Sequence, residues 1–324
     1  MYATTVRRRR STQRRGASGS TGSSSGTSSC RSRSSGPTSP STRSWRRSQC
    51  AGNRRRALID VRDIPGEEPW GPGATGTAVW CGARLCDVLA AAGLDDDAHH
   101  VAFLGADVSE EAKPPQAFGA SIPRHKAMAA EVLLASNMNG RPLPRVHGAP
   151  VRVVAPGYIG ARSVKWLERI TARSGPSDNY FQTQSYRLLP PEADPDSLAP
   201  GEGVALGAIA VNSDILVPDD GAHVPAGRLA VAGYALAGDD RSIVRVDVSI
   251  DDGGSWRQAE LLDQPSAWSW RRWETDVEVR PGPVEIVARA WDSAAAVQPE
   301  DPAQLWNPKG YVNNAWARVG VKAV

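Results

Sequence analysis

Apolar and polar positions divide the chain into stretches of different texture. Between residues 57 and 188 short apolar runs alternate with turn signals. The run 57–61 is broken by Ile64-Pro65-Gly66, and 78–80 follows the turn-rich loop 70–73. Leu85, Val88, Leu89 and Ala92 recur at i, i+3, i+4 and i+7 and stop at Gly93, which predicts a helix over 84–92. The runs 100–104 and 150–155 read as strands, the latter closed by Pro156-Gly157, and 164–170 alternates weakly as another. Gly119 and Pro123 make 119–123 read as a loop before the apolar 127–130, and 132–135 leads to a turn at Asn139-Gly140. Helices and strands mix without a regular βαβ rhythm, which predicts an α+β domain over 48–188.

From about residue 205 the periodicity changes. β-Branched runs recur at 207–211, 228–234, 243–250 and 284–290, divided by turns at Asp219-Asp220-Gly221, Gly238-Asp239-Asp240 and 251–254. Ile243, Val246, Val248 and Ile250 alternate as a half-buried strand does. With no helical stretch between them, these runs predict an all-β sandwich of immunoglobulin type over 204–324, lacking the Cys…Trp…Cys set. The segment 189–203, with Pro190, Pro191, Pro195 and Pro200, reads as the linker.

Residues 1–47 share neither pattern. Arg, Ser, Gly and Thr dominate, and so little apolar surface cannot offset the entropy of ordering, so disorder is expected. Such text meeting a structured motif without transition is also what a GC-rich gene yields in the wrong reading frame. The segment is therefore read as a frame or start-site artefact; the alternatives are a genuine disordered tail and a basic arm for nucleic acid or acidic lipid. No apolar run follows its arginine pairs, so no export signal is recognisable, and a cytoplasmic or a periplasmic location both stay open.

Charge sharpens this division. The net charge of +3 conceals 14 Arg and no acid in residues 1–56, leaving 24 bases against all 35 acids in the remainder. An acidic folded part argues against nucleic acid as its main partner. No apolar run approaches the roughly 20 residues of a membrane span. Among four cysteines, Cys81 and Cys86 lack paired metal-ligand spacing and read as buried thiols. Cys50 differs: it opens Cys50-Ala51-Gly52-Asn53-Arg54-Arg55, a thiol beside two arginines. Neighbouring cations favour a thiolate, the form that binds metals, and an arginine fork suits an oxyanion.

That motif resembles the cofactor loop of the sulfite oxidase family of molybdenum enzymes. The resemblance continues through Trp80-x-Gly82-Ala83-Arg84-Leu85 and Met138-Asn139-Gly140-x-Pro142-Leu143-Pro144, and through His147-Gly148-x-Pro150-Val151-Arg152. It is densest at Pro156-Gly157-x-x-Gly160-Ala161-Arg162-x-Val164-Lys165-Trp166-Leu167. Val246-Asp247-Val248-Ser249, Ala267-Trp268-x-Trp270, Trp306-Asn307-x-x-Gly310 and Asn314-Ala315-Trp316 resemble the family's dimerisation domain. It implies a sulfite-oxidase-type molybdopterin-binding domain at 48–188, N-terminally incomplete because nothing in residues 1–49 resembles the family's upstream segment, and a dimerisation domain at 204–324.

By resemblance, Cys50 is the molybdenum ligand, beside molybdopterin. Arg55 lines the oxyanion pocket, Tyr186 is the active-site tyrosine and Trp70 walls the pocket. Asp107, His147, Arg152 and Ser163, Val164 and Lys165 grip the pterin and its phosphate. Lys309 stands where animal and plant sulfite oxidases carry an arginine, keeping the charge without the fork. The implied activity is oxidation of sulfite to sulfate, with electrons passed to an external cytochrome-type acceptor, since the chain has no haem-binding motif of its own, and with assembly as a homodimer. Two alternatives stay open: a related molybdoenzyme acting on nitrate or another oxyanion or sulfoxide, and an inactive truncated member.

Overall fold

The computed structural model describes residues 41–197 and 199–324. It is mostly β-sheet with few helices, and its contacts group into two units whose segments interleave along the chain. One holds 41–43, Trp80–Val153 and Val164–Ser177; the other holds Ser44–Val79, Val154–Ser163 and Asp178–Val324.

In the first unit, the strand His100–Ser109 lies between Gln116–Pro123 and Leu167–Arg173 in a three-stranded antiparallel sheet. Its alternation buries Val101 and Phe103, opposite Ile122 and Ala120 on one side and Ala172 and Ile170 on the other. Residues 119–123, expected as a loop, are therefore strand. Pro123 sits at the strand's last position, where the missing N–H breaks little of the ladder. The helix Leu85–Ala92 forms as expected, burying Leu85 and Leu89. Trp80–Arg84 pairs antiparallel with Leu133–Met138, which turns at Asn139-Gly140, both with positive φ, into Arg141–Pro142. The strand expected at 164–170 starts only at Leu167, because Trp166 has φ 47° and breaks the extended run.

The start of the described chain brings a correction. Residues 41–47, expected to be disordered, form most of the strand Ser41–Gln49. The strand's end is tied down: Arg47 N donates to the Trp268 carbonyl at 2.9 Å, Thr75 Oγ1 donates to the Ser48 carbonyl, and Gln49 bridges Ile159. Composition missed it because the pairing is tertiary. The expected 1–40 part of that disordered segment lies outside the described residues.

The C-terminal part of the second unit holds two sheets. Asn212–Val217, Gly227–Leu236, Arg271–Val279 and Glu260–Leu261 make one. His223–Val224, Ala317–Ala323, Gly282–Asp292, Ile243–Ser249 and Arg257–Gln258 make the other. Val231, Ala235, Trp273 and Val277 from the first share a core with Val246, Ile286, Ala288 and Val319 from the second. The expected strand at 207–211 is instead connector, with Ile209 N bound to the Gly157 carbonyl and only an isolated bridge at Ala208. Arg271–Val279, missed in the sequence, buries Trp273, Val277 and Val279 and exposes Arg272, Glu274 and Glu278. Among the described residues no helix is long and apolar enough to cross a membrane.

Candidate active site

Cys50 ends the Ser41–Gln49 strand on a tight turn whose backbone is spoken for on both sides. Its N–H donates to the Ala74 carbonyl at 2.9 Å, and Asn53 Oδ1 accepts from Ala74 N at 2.9 Å. Val312 N donates to the Ala51 carbonyl at 2.8 Å, and Asn313 Nδ2 to the Arg54 carbonyl at 2.9 Å. The turn thus presents Cys50 at the surface, lining a small cavity with Asn53, Ile159, Asn212, Val312 and Asn313.

The two arginines after it have separate tasks, and neither spends its hydrogen bonds on the thiol. Arg54, buried and held at φ 63°, donates to Asn212 Oδ1 at 3.0 Å and to the Ala315 and Trp316 carbonyls at 2.7 and 2.9 Å. It is an anchor. Arg55 opens the short helix Arg55–Ile59 and is 4% exposed. Its Nε donates to the Lys309 carbonyl at 3.1 Å and its Nη1 to the Glu68 carbonyl at 3.0 Å. Nη2 pairs with Glu67 Oε2 at 2.9 Å, and Glu67 Oε1 lies 3.6 Å from Lys309 Nζ. Two cations therefore converge on one carboxylate. Lys309 owes its position to Asn307, whose buried amide donates to the Tyr311 carbonyl and accepts from Tyr311 N at 2.9 and 3.1 Å.

Tyr186 closes a single π-helical turn, Phe181–Ser185, and stacks on Tyr311 with ring centres 5.7 Å apart. The Arg55 guanidinium lies 5.3 Å from the centre of the Tyr311 ring. Burial, then the nearby Glu67 charge, pushes the Tyr311 phenol far above its ordinary range, so it stays protonated. Trp70 is 47% exposed on the loop 65–73, the loop that also carries Glu67 and Glu68. In this unit the structure brings Arg55, Lys309 and Tyr186 together around Glu67 and Tyr311. Sequence reasoning missed those last two. The signal for Tyr311 was its place one residue beyond the Trp306-Asn307-x-x-Gly310 motif; Glu67 had none.

The other unit holds most of the expected pterin-binding residues. Arg152, buried, donates to the His147 and Val153 carbonyls at 3.1 and 3.2 Å and lies 5.2 Å from the centre of the Trp80 ring. Burial lowers its guanidinium to about 10. Lys165 is also held below its ordinary value, first by burial and then by the Arg152 charge, with Asp107 opposing. Its Nζ donates to the Val146 carbonyl at 3.2 Å. Asp107 Oδ1 is buried and accepts no hydrogen bond. Gly148, at φ 103°, lets the Lys165 backbone approach so closely that an added Cβ would meet Lys165 Cβ at 2.8 Å. His147 is exposed and contributes its carbonyl to this cluster. Ser163 belongs to the Cys50-bearing unit, where its Oγ accepts from Ala155 N at 3.0 Å; the Val164 carbonyl accepts from Val153 N at 2.8 Å.

These residues fit a pterin with a phosphate tail. Two cations raised in energy by burial and mutual repulsion are relieved by a polyanion. A buried acceptor without a donor suits the N–H groups of a pterin ring. An exposed thiol fixed by backbone bonds suits a soft metal.

Comparison with known proteins bears on the same residues. An oxidoreductase molybdopterin binding domain matches residues 38–181, and a Mo-co oxidoreductase dimerisation domain matches 204–324. The first match begins ahead of Cys50, so residues 38–49, read from the sequence as outside the resemblance, lie within it. Mitochondrial sulfite oxidase of Mus musculus is 44% identical over 286 residues, covering 85% of this chain and 52% of that protein. The chain thus spans about half the length of the mitochondrial relatives it matches. Sulfite oxidase of Arabidopsis thaliana is 38% identical over 290 residues, covering 84% of this chain and 73% of that protein. The crystal structure of the sulfane dehydrogenase SoxCD from Paracoccus pantotrophus superposes with a TM-score of 0.72 at 27% identity, covering 87% of this chain and 69% of that one. With both domain matches in order and relatives 38–44% identical over 84–85% of the chain, the chain belongs to the sulfite oxidase family of molybdenum oxidoreductases.

Proposed function

We propose that this protein oxidises sulfite to sulfate with a molybdenum–molybdopterin cofactor and passes the electrons to an external cytochrome-type acceptor. The observation that carries the reading is the convergence of Arg55 and Lys309 on one carboxylate, in the unit that also presents Cys50. Two fixed cations around a planar anion make a receptor for a small oxyanion.

When bound, the cofactor supplies the oxygen atom that sulfite acquires and accepts the electron pair. Cys50 is the protein's thiolate ligand to its metal. Asp107 accepts from the pterin ring, and Arg152 and Lys165 neutralise the phosphate, with His147 and the 163–165 backbone completing the grip. Arg55 binds two substrate oxygens through its fork, and Lys309 adds a point charge. Tyr186 donates a hydrogen bond that orients a reacting oxygen and relays a proton by giving up its own and regaining it. Trp70 closes the substrate side. The catalytic segment is α+β over 48–188, and 204–324 is an immunoglobulin-like sandwich that pairs two copies as a homodimer.

The test is metal content together with sulfite-dependent reduction of ferricyanide. About one molybdenum per chain and turnover with sulfite support the reading. Metal with viologen-linked nitrate reduction but no sulfite turnover would replace it, and protein without molybdenum after cofactor loading would overturn it.

A further inference from the structure

We infer that Glu67 is a specificity-determining residue of the anion pocket: its carboxylate competes with substrate for Arg55 and Lys309, so anions bind by exchange. This rests on the proposed role of those two cations. Glu67 meets Arg55 Nη2 at 2.9 Å through one oxygen and Lys309 Nζ at 3.6 Å through the other, as a small oxyanion would. Its side chain is 21% exposed, so it can leave into solvent without opening a packed core.

The loop need not move for this exchange. Arg54 N donates to the Gly71 carbonyl and Arg56 N to the Trp70 carbonyl, both at 3.0 Å, and Arg55 Nη1 holds the Glu68 carbonyl. The backbone after Glu67 is therefore pinned, and rotation about the Glu67 side-chain bonds suffices to clear the pocket. Arg55 would keep two of its three hydrogen-bonded partners, the Lys309 and Glu68 carbonyls, and so keep its place.

An internal competitor sets a threshold. An anion binds only if its interaction with the two cations exceeds that of a tethered carboxylate, so weakly coordinating anions are refused while compact oxyanions of high charge density enter. The tether also keeps the two cations paired between turnovers, when their mutual repulsion would otherwise push them apart.

The experiment measures sulfate binding calorimetrically, with sulfate alone as the probe, for the wild type, Glu67→Gln, Glu67→Asp and Arg55→Met. Glu67→Gln should bind sulfate about tenfold more tightly, the scale of one charge-assisted pair. Glu67→Asp should stay within about threefold of the wild type, since it retains the charge. In the cofactor-loaded enzyme, KM for sulfite should fall by the same factor in Glu67→Gln, with kcat little changed. Equal or weaker sulfate binding by Glu67→Gln, with an unchanged thermal midpoint, would overturn the inference and leave Glu67 a support for Arg55. If Arg55→Met binds sulfate as the wild type does, or no variant binds it, the anion-site reading itself fails and the inference with it.

Discussion

Two glycines decide where the Arg55 guanidinium lies. A Cβ on Gly52 would meet Arg55 Nη2 at 2.5 Å, and one on Gly310, itself at φ 59°, would meet Arg55 Cγ at 2.5 Å. Gly310→Ala should therefore displace Arg55 and weaken sulfate binding by about an order of magnitude, an effect calorimetry reads directly. Retained affinity would mean that the arginine is positioned by its carbonyl partners alone. Cys50 and Arg55 were legible in the sequence because they share one contiguous motif. Glu67 was not, because its partners stand 12 and 242 positions away and only the fold brings the three charges together. The contiguous motif did not show how the two arginines are anchored: Arg54 bonds to Asn212 Oδ1 and to the 213 and 315–316 carbonyls, and Arg55 to the Lys309 and Glu68 carbonyls and the Glu67 carboxylate.

The strand Ser41–Gln49 buries Arg46 and Arg47, and Arg47 Nε and Nη1 have no hydrogen-bond partner. Burial lowers the Arg47 guanidinium from 12.5 to about 10. A base whose folded pKa lies below its unfolded value costs stability wherever it is charged in both states. That cost is therefore present in full below about pH 10 and fades only as pH rises toward 12.5. It amounts to roughly 3 kcal/mol at neutral pH. Arg47→Leu should accordingly raise stability by about 1–3 kcal/mol, seen as a higher denaturation midpoint. A lower midpoint would show that the guanidinium has a partner in solution. Within the paired sheets, Trp273→Ala should cost about 3–5 kcal/mol in the same assay. The elements best read from the sequence were those with strong local periodicity, such as Leu85–Ala92 and Ile243–Ser249. Ser41–Gln49 and Gln116–Pro123 were missed because neighbouring strands, rather than their own Arg/Ser or Gly/Pro content, hold them extended.

At the scale of the whole molecule, the chain carries a matched dimerisation domain at 204–324, and the account predicts a dimer in solution. Light scattering coupled to size exclusion should give twice the 34.5 kDa chain mass, and a monomer at micromolar concentration would contradict it. With transfer to a haem acceptor as proposed above, the acidic balance beyond residue 56 predicts that electron transfer to a cationic haem protein slows as salt rises. In the proposed function, Cys50 holds the molybdenum of a sulfite-oxidising site. The most direct test is molybdenum per chain, by elemental analysis, in the cofactor-loaded wild type and in Cys50→Ser, alongside sulfite-dependent ferricyanide reduction. About one molybdenum and turnover are expected in the wild type, with both lost in Cys50→Ser; equal molybdenum in the two proteins would rule out Cys50 as the ligand.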